Sequence, residues 1–276
     1  MKKLITIILI SFLLIVSILL FNNRTYEHKK IAINVKNYTD SQKNIISEID
    51  QKGKKIMLSN VNYNHLSFPI LYYHCVSDDI FGMDELFVSP EEFDNQMNYL
   101  YKNNFDVITF SDIANVNIYK KPIIITFDDG YENNYTEAYP ILKKYNFKAS
   151  IFLTYNFIGR KNYLSKKQIT KMTNLINFQG HTLNHLDLRT LSKKELEDEL
   201  VLSKQKLSDL TNQKINVFAY PTGYFNDTVI DMTKKNYDYA VTNQSGLFSL
   251  QKDNFLIKRI YIPRNVSIQT FSNKLH

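Results

Sequence analysis

Two adjacent aspartates, Asp128 and Asp129 ahead of Gly130, and two histidines four residues apart, His181 and His185, are the residues of this 276-residue chain best suited to chemistry. Successive side chains of an extended segment point to opposite sides, and a turn at Gly130 would redirect the second aspartate. One carboxylate can then ligate a cation while the other stays free as a base. Taken alone, Asp-Asp-Gly is equally a turn with aspartate as a helix cap. The histidines shift that balance. On a helical turn His181 and His185 would share a face, and two imidazoles with one carboxylate form a common ligand set for Zn²⁺ and similar ions. Such a set leaves positions open for water and substrate. Only six histidines occur, at 28, 65, 74, 181, 185 and 276. His74 ends the apolar run Ile70–Tyr73, and Tyr220-Pro221-Thr222-Gly223 follows the run Ile215–Ala219. Cys75 is the single cysteine, so no intrachain disulfide can form. As the strand neighbour of His74 it should face the other way, a small buried apolar residue and not the nucleophile of a Cys–His hydrolase.

Thr126-Phe127-Asp128-Asp129-Gly130 resembles the T-F-D-D-G motif of the polysaccharide deacetylase family (carbohydrate esterase family 4, with the NodB homology domain). His181-Thr182-Leu183-Asn184-His185 is similar to that family's H-[ST]-x-x-H motif. Phe218-Ala219-Tyr220-Pro221-Thr222-Gly223 is similar to the F-A-Y-P-x-G form of its third motif. Leu71-Tyr72-Tyr73-His74 resembles the early strand-His motif of a circularly shifted branch, which includes the biofilm poly-β-1,6-N-acetylglucosamine deacetylases. The resemblance covers roughly residues 68–270.

It implies a distorted (β/α) barrel and metal-dependent removal of N-acetyl groups from an N-acetylglucosamine polymer at the cell surface. Poly-β-1,6-N-acetylglucosamine is the first expectation. Peptidoglycan N-acetylglucosamine, O-deacetylation of another glycan, and a non-catalytic glycan-binding wall protein are the alternatives. By resemblance Asp129, His181 and His185 hold one divalent ion, Zn²⁺ first and Co²⁺, Ni²⁺ or Fe²⁺ as substitutes. Asp128 is then the general base, His74 the general acid, and the backbone N–H of Thr222 a partner for the oxyanion. His74 is also readable as a hydrogen-bonded core histidine. Tyr220, Pro221, Gly223 and Tyr131 would complete the substrate surface, with Tyr224 beside them. In a chain with 19 tyrosines, ordinary packing accounts for each ring equally well. Two departures stand out. Many members place arginine where Ala219 stands, to hold the catalytic aspartate, so Arg259 or Arg264 would have to replace it. Many also carry a late L-x-H acid, and nothing after His185 qualifies because His276 is terminal.

These residues need a scaffold that brings strand ends together. From Pro69 onward, short β-branched runs alternate with amphipathic patterns, which implies a parallel sheet, open or closed, with its chemistry at the C-terminal ends of the strands. Strands are expected at Ile70–Tyr73, Ile123–Phe127, Ala149–Thr154, Leu175–Phe178, Ile215–Ala219, Tyr239–Thr242 and Arg259–Ile262. Ser89-Pro90-Glu91-Glu92 predicts a capped helix with Phe93, Met97, Leu100 and Tyr101 on one face. Further helices are expected through Ala138–Tyr145, after Ser192-x-x-Glu195 with Leu196, Leu200, Leu207 and Leu210 inward, and at Ser267–Leu275.

Hydrophobic content of 44% suits a sizeable core and excludes a disordered chain. The formal charge is +7, and residues 1–60, with ten Lys/Arg and four Asp/Glu, carry six of those charges. The remainder is nearly neutral, which argues against a nucleic-acid partner. Lys2 and Lys3 precede the apolar run Leu4–Phe21, long enough to span a bilayer and followed by no small-residue cleavage site. Residues 1–21 are therefore expected to anchor the chain with its N-terminus inside and the rest outside, a cleaved signal being the alternative. A polar basic linker is expected over 22–64, with a short helix near Ser41–Asp50, followed by the catalytic domain over 65–276.

Overall fold

The computed structural model describes residues 67–250 and 252–275. The expected anchor, the basic linker and the helix near Ser41–Asp50 lie outside the described residues. Seven parallel strands carry the fold: β1 (Ile70–Tyr73), β2 (Pro122–Phe127), β3 (Ala149–Leu153), β4 (Ile176–Gly180), β5 (Val217–Ala219), β6 (Tyr239–Ser245) and β7 (Ile257–Tyr261). They run in the ring order β1-β7-β6-β5-β4-β3-β2, and β2 closes back on β1 through Ile70↔Ile124 to Tyr73↔Phe127. The sheet is a closed (β/α) barrel: the alternating pattern implied a parallel sheet, open or closed, and the family resemblance implied the closure. A strand at Asp106–Ile108, absent from the sequence expectations, pairs with the start of β2.

β2 shows why these segments are strands. Every residue from Pro122 to Phe127 is buried, the continuous apolar run of a strand covered on both faces. Its side chains alternate. Ile123, Ile125 and Phe127 pack outward with the helices, while Ile124 joins Ile70, Val217, Val241 and Ile257 inside the barrel. Phe110, the first residue of a 3₁₀ run to Ile118, packs edge-on to Phe152 and extends that interior cluster. By the same alternation Thr126 and Asp128 continue the inward row of β2, and Arg259 continues that of β7.

The helices are α1 (Pro90–Lys102), α2 (Tyr139–Tyr145), α3 (Lys166–Met172), α4 (Lys193–Glu197), α5 (Ser203–Thr211), α6 (Asp227–Asn236) and α7 (Ile268–Lys274). The Ser89–Glu92 capping box forms, and Phe93, Met97 and Leu100 are buried. Tyr101 departs from the expected face and is 60% exposed, since one residue past Leu100 turns it about 100° away. Helices α3 and α6 were not foreseen because their patterns are short and mostly polar. Two single π-turns interrupt the regular geometry, at Asn134–Ala138 before α2 and at Asp198–Leu202 between α4 and α5. No helix among the described residues is long and apolar enough to cross a membrane.

Candidate active site

The carboxyl end of β2 delivers both aspartates, and they part at once. Asp128 extends the strand, its N–H donating to the Tyr73 carbonyl at 3.0 Å, and its side chain is buried inside the barrel. Asp129 takes φ +72°, and Gly130 N–H closes back on the Asp128 carbonyl at 2.9 Å. That three-residue γ-type turn costs about 1–3 kcal/mol of backbone strain and swings the second carboxylate out to the cavity. The redirection thus begins at Asp129 itself, one residue earlier than the glycine suggested.

The two histidines follow β4. Residues 181–185 are not helical, contrary to the shared helical face expected of them. Thr182 and His185 sit at φ +70° and +58°, and His185 N–H donates to Thr182 Oγ1 at 3.0 Å. This tight loop still brings the rings together, with centroids 4.9 Å apart. His181 Nε2 and His185 Nε2 each lie 3.3 Å from Asp129 Oδ1. His181 Nδ1 is 2.7 Å from the Ala219 carbonyl, so the proton sits on Nδ1 and Nε2 presents a lone pair. Asp129 Oδ1 is buried with no hydrogen-bond partner. Two imidazole Nε2 atoms and a carboxylate oxygen without a hydrogen-bond partner suit a divalent cation by type and arrangement, and all three donor atoms fall within 4.8 Å of one another. Burial would raise the Asp129 pKa, yet the surrounding imidazoles hold its carboxyl well below the usual range. Burial and neighbouring His181 make His185 reluctant to take a proton, whereas the two aspartates overcome burial at His181 and raise its pKa.

Asp128 is held by Arg259, the residue that takes the place left empty at Ala219. The guanidinium grips both oxygens, Nη1–Oδ1 at 2.8 Å and Nη2–Oδ2 at 2.7 Å. It also donates to Thr126 Oγ1, the Thr242 carbonyl and Asn243 Oδ1, and lies 4.2 Å over the Tyr72 ring. Arg259 is fully buried, and its charge and hydrogen bonds outweigh burial to keep the Asp128 pKa low. Arg264 points elsewhere, to the Phe87 carbonyl and the Asp84 carboxylate.

His74 reaches the same cavity from the end of β1. Asn134 Nδ2 donates to its carbonyl at 2.8 Å, and Asn133 Oδ1 accepts the Val76 N–H at 3.2 Å, so the loop after the aspartates pins the loop after β1. The His74 ring meets Tyr72 and Tyr261 edge-on, its Nδ1 is buried without a partner, and burial lowers its pKa despite both aspartates. It is therefore not the hydrogen-bonded core histidine that the strand position also allowed. Cys75 faces away, fully buried, with its thiol pushed up to about 12 by burial, and takes no part.

The cavity over these residues measures about 470 Å³. Tyr131 lines it, stacked on Tyr163 at 4.9 Å, and Phe157 continues that wall. Thr222 also lines the cavity, at φ +58°. Gly223, at φ +76°, packs so close that an added Cβ would meet Asn243 at 2.8 Å. Tyr220 is among the lining residues, but its ring offers no free stacking face: it is buried against Phe218 and Phe225, and its hydroxyl donates to the Phe255 carbonyl. Pro221 is buried, and Tyr224 is exposed beneath the Arg189 guanidinium, outside the cavity lining. Sequence reasoning missed Phe157, Tyr163, Asn243 and Tyr261 in the lining, together with the tethers Asn133, Asn134 and Glu199. None of these belongs to a motif; only strand and loop positions could have suggested them.

The polysaccharide deacetylase family model matches residues 115–240, a span that includes both aspartates, both histidines and Thr222 but neither His74 nor Arg259. YxkH of Bacillus subtilis (strain 168) is 32% identical over 210 residues, 74% of each chain. The poly-β-1,6-N-acetyl-D-glucosamine N-deacetylase of Staphylococcus epidermidis is 30% identical over 195 residues, covering 63% of this chain and 68% of that one. Among solved structures, BC0361, a polysaccharide deacetylase from Bacillus cereus, superimposes with a TM-score of 0.73 at 31% identity, over 76% of this chain and 69% of its own.

Proposed function

Since the chain belongs to the polysaccharide deacetylase family, we propose that it hydrolyses N-acetyl groups on an extracellular N-acetylglucosamine polymer, with poly-β-1,6-N-acetylglucosamine as substrate. The observation that carries this reading is the convergence of Asp129, His181 and His185 on one point beside the Arg259-held Asp128. These three residues would hold the divalent ion, Zn²⁺ first among candidates. Bound there, such an ion supplies Lewis-acid polarisation of the acetamide carbonyl and brings a water's acidity near neutrality.

Asp128 accepts the proton of the attacking water on a carboxylate oxygen. Arg259 occupies one direction at each oxygen, and a carboxylate has further lone pairs to offer. The same grip makes Asp128 a weak base, able to take a proton only from an acidified water. Thr222 lines the cavity, and its backbone N–H would meet the acetyl oxygen as it turns negative; preorganised donors at such a place stabilise developing charge. His74 donates to the departing amine. Its lowered pKa makes the imidazolium rarer but a stronger acid when formed.

The lining supports a neutral, linear glycan. Among the described lining residues there is no lysine or arginine, whereas Glu85, Asp128 and Asp129 contribute acid. A homopolymer of N-acetylglucosamine suits that lining better than a peptidoglycan strand carrying peptide carboxylates. The apolar run Leu4–Phe21 and the basic stretch that follows it to residue 60 fit a chain tethered outside the membrane by residues 1–21, with the catalytic domain over 65–276.

The purified full chain is to be assayed for acetate release from poly-β-1,6-N-acetylglucosamine, chitooligosaccharides and peptidoglycan. Release is expected fastest from the first and lost with chelator. Faster release from peptidoglycan would overturn the substrate assignment, and release indifferent to chelator would overturn the metal role.

A further inference from the structure

The loop carrying His181 and His185 has a support that the chemistry above does not use. Glu199 is 4% exposed and stands on the π-turn Asp198–Leu202, between α4 and α5. Its Oε2 accepts the N–H groups of Leu183 at 2.8 Å and Asn184 at 2.9 Å, and its Oε1 accepts Asn184 Nδ2 at 2.6 Å. Leu183 and Asn184 are two of the three residues between the histidines. Charged acceptors make stronger bonds than neutral ones, and one carboxylate ties down both backbone donors at once. The left-handed backbone at Thr182 and His185 needs such over-determination to persist.

The π-turn is itself stabilised from outside. A π-turn inserts a residue into a helix and frees carbonyls that need partners. Here Ser203 Oγ donates to the Glu199 carbonyl at 2.6 Å, and Tyr237 Oη donates to the Leu200 carbonyl at 2.8 Å. Asn184 Oδ1 is in turn held by Asn156 Nδ2 at 2.7 Å, which fixes how the amide faces Glu199.

We infer that Glu199 is a positioning residue that sets the separation and aim of His181 and His185 through the Leu183 and Asn184 amides, and so sets the affinity of the site for a divalent ion. The inference rests on the proposed ligand roles of Asp129, His181 and His185. Glutamine at this position keeps one oxygen for the backbone pair. Its NH₂ then faces the donor Nδ2 of Asn184, and flipping that amide would break the bond from Asn156. A graded loss follows, with alanine the more severe.

The test uses the full chain, stripped and titrated with Zn²⁺ by calorimetry and with Co²⁺ by its visible ligand-field spectrum. Glu199→Ala is expected to weaken Zn²⁺ binding about 10- to 100-fold and to alter the Co²⁺ bands. Glu199→Gln is expected to fall between it and the unmutated protein, and exposed Glu197→Ala to leave both readouts unchanged. If Glu199→Ala fails to fold, the near-isosteric Glu199→Gln carries the test through the same two readouts. Unchanged affinity and bands in a folded Glu199 variant would overturn the inference alone. No ion uptake by the unmutated protein would overturn the ligand assignment together with it.

Discussion

At the residue scale the site depends on how one buried arginine conditions one buried aspartate. Removing a carboxylate from water without a partner is unfavourable enough that it would stay protonated, and so useless as a base. Arg259 reverses that at Asp128. The sign with pH follows. A carboxyl whose pKa is depressed by folding adds stability above its unfolded pKa and loses that stability as pH falls through the folded value. Arg259→Lys keeps a positive charge but loses the two-bond fork, so the Asp128 pKa should rise. The acid limb of kcat/KM is then expected to move to higher pH, and a pH–rate profile checks it. An acid limb that stays in place would dissociate Arg259 from the base.

At the element scale, loops after β1, β2, β4 and β5 meet at one rim, and small side chains let them approach. Gly180 ends β4 immediately before His181, and a Cβ there would meet Tyr237 Oη at 2.9 Å and Cε1 at 3.3 Å. Tyr237 caps the Leu200 carbonyl of the π-turn, so Gly180→Ala should push on the support of the histidine loop. Overpacking of this kind costs about 1–3 kcal/mol, which in a domain of this size lowers the melting temperature by roughly 2–4 °C per kcal/mol. Thermal unfolding of Gly180→Ala, Tyr237→Phe and the double variant measures the effect. Sub-additive losses are expected because Tyr237→Phe removes the hydroxyl that the methyl added by Gly180→Ala would press against, and strictly additive losses would deny that contact.

At the scale of the whole molecule, the barrel closes by pairing β1 with β2, segments some fifty residues apart, and that closure gathers residues 74, 128, 129, 181, 185, 222 and 259 around one cavity. Much of this was legible in the sequence. Seven short apolar runs marked the strands, the polar residues after four of them marked the rim, and the spacing of Asp128, Asp129, His181 and His185 marked the centre. What stayed hidden needed three dimensions. Ala219 announced a missing arginine, yet only the inward row of β7 selects Arg259 over Arg264. Glu199 sits in a helical stretch that reads as ordinary amphipathic sequence, because the inserted π-turn residue leaves no local signature. Tyr220 looked like substrate surface because its motif surrounds the site, whereas its ring turns into the core.

The convergence of Asp129, His181 and His185 on one ion, with Asp128 acting separately as base, is tested most directly by metal content and turnover in three proteins. Expected are one divalent ion per unmutated chain, almost none in His181→Ala, and a full complement in a catalytically dead Asp128→Asn. Full occupancy in His181→Ala, or turnover retained in Asp128→Asn, would contradict it.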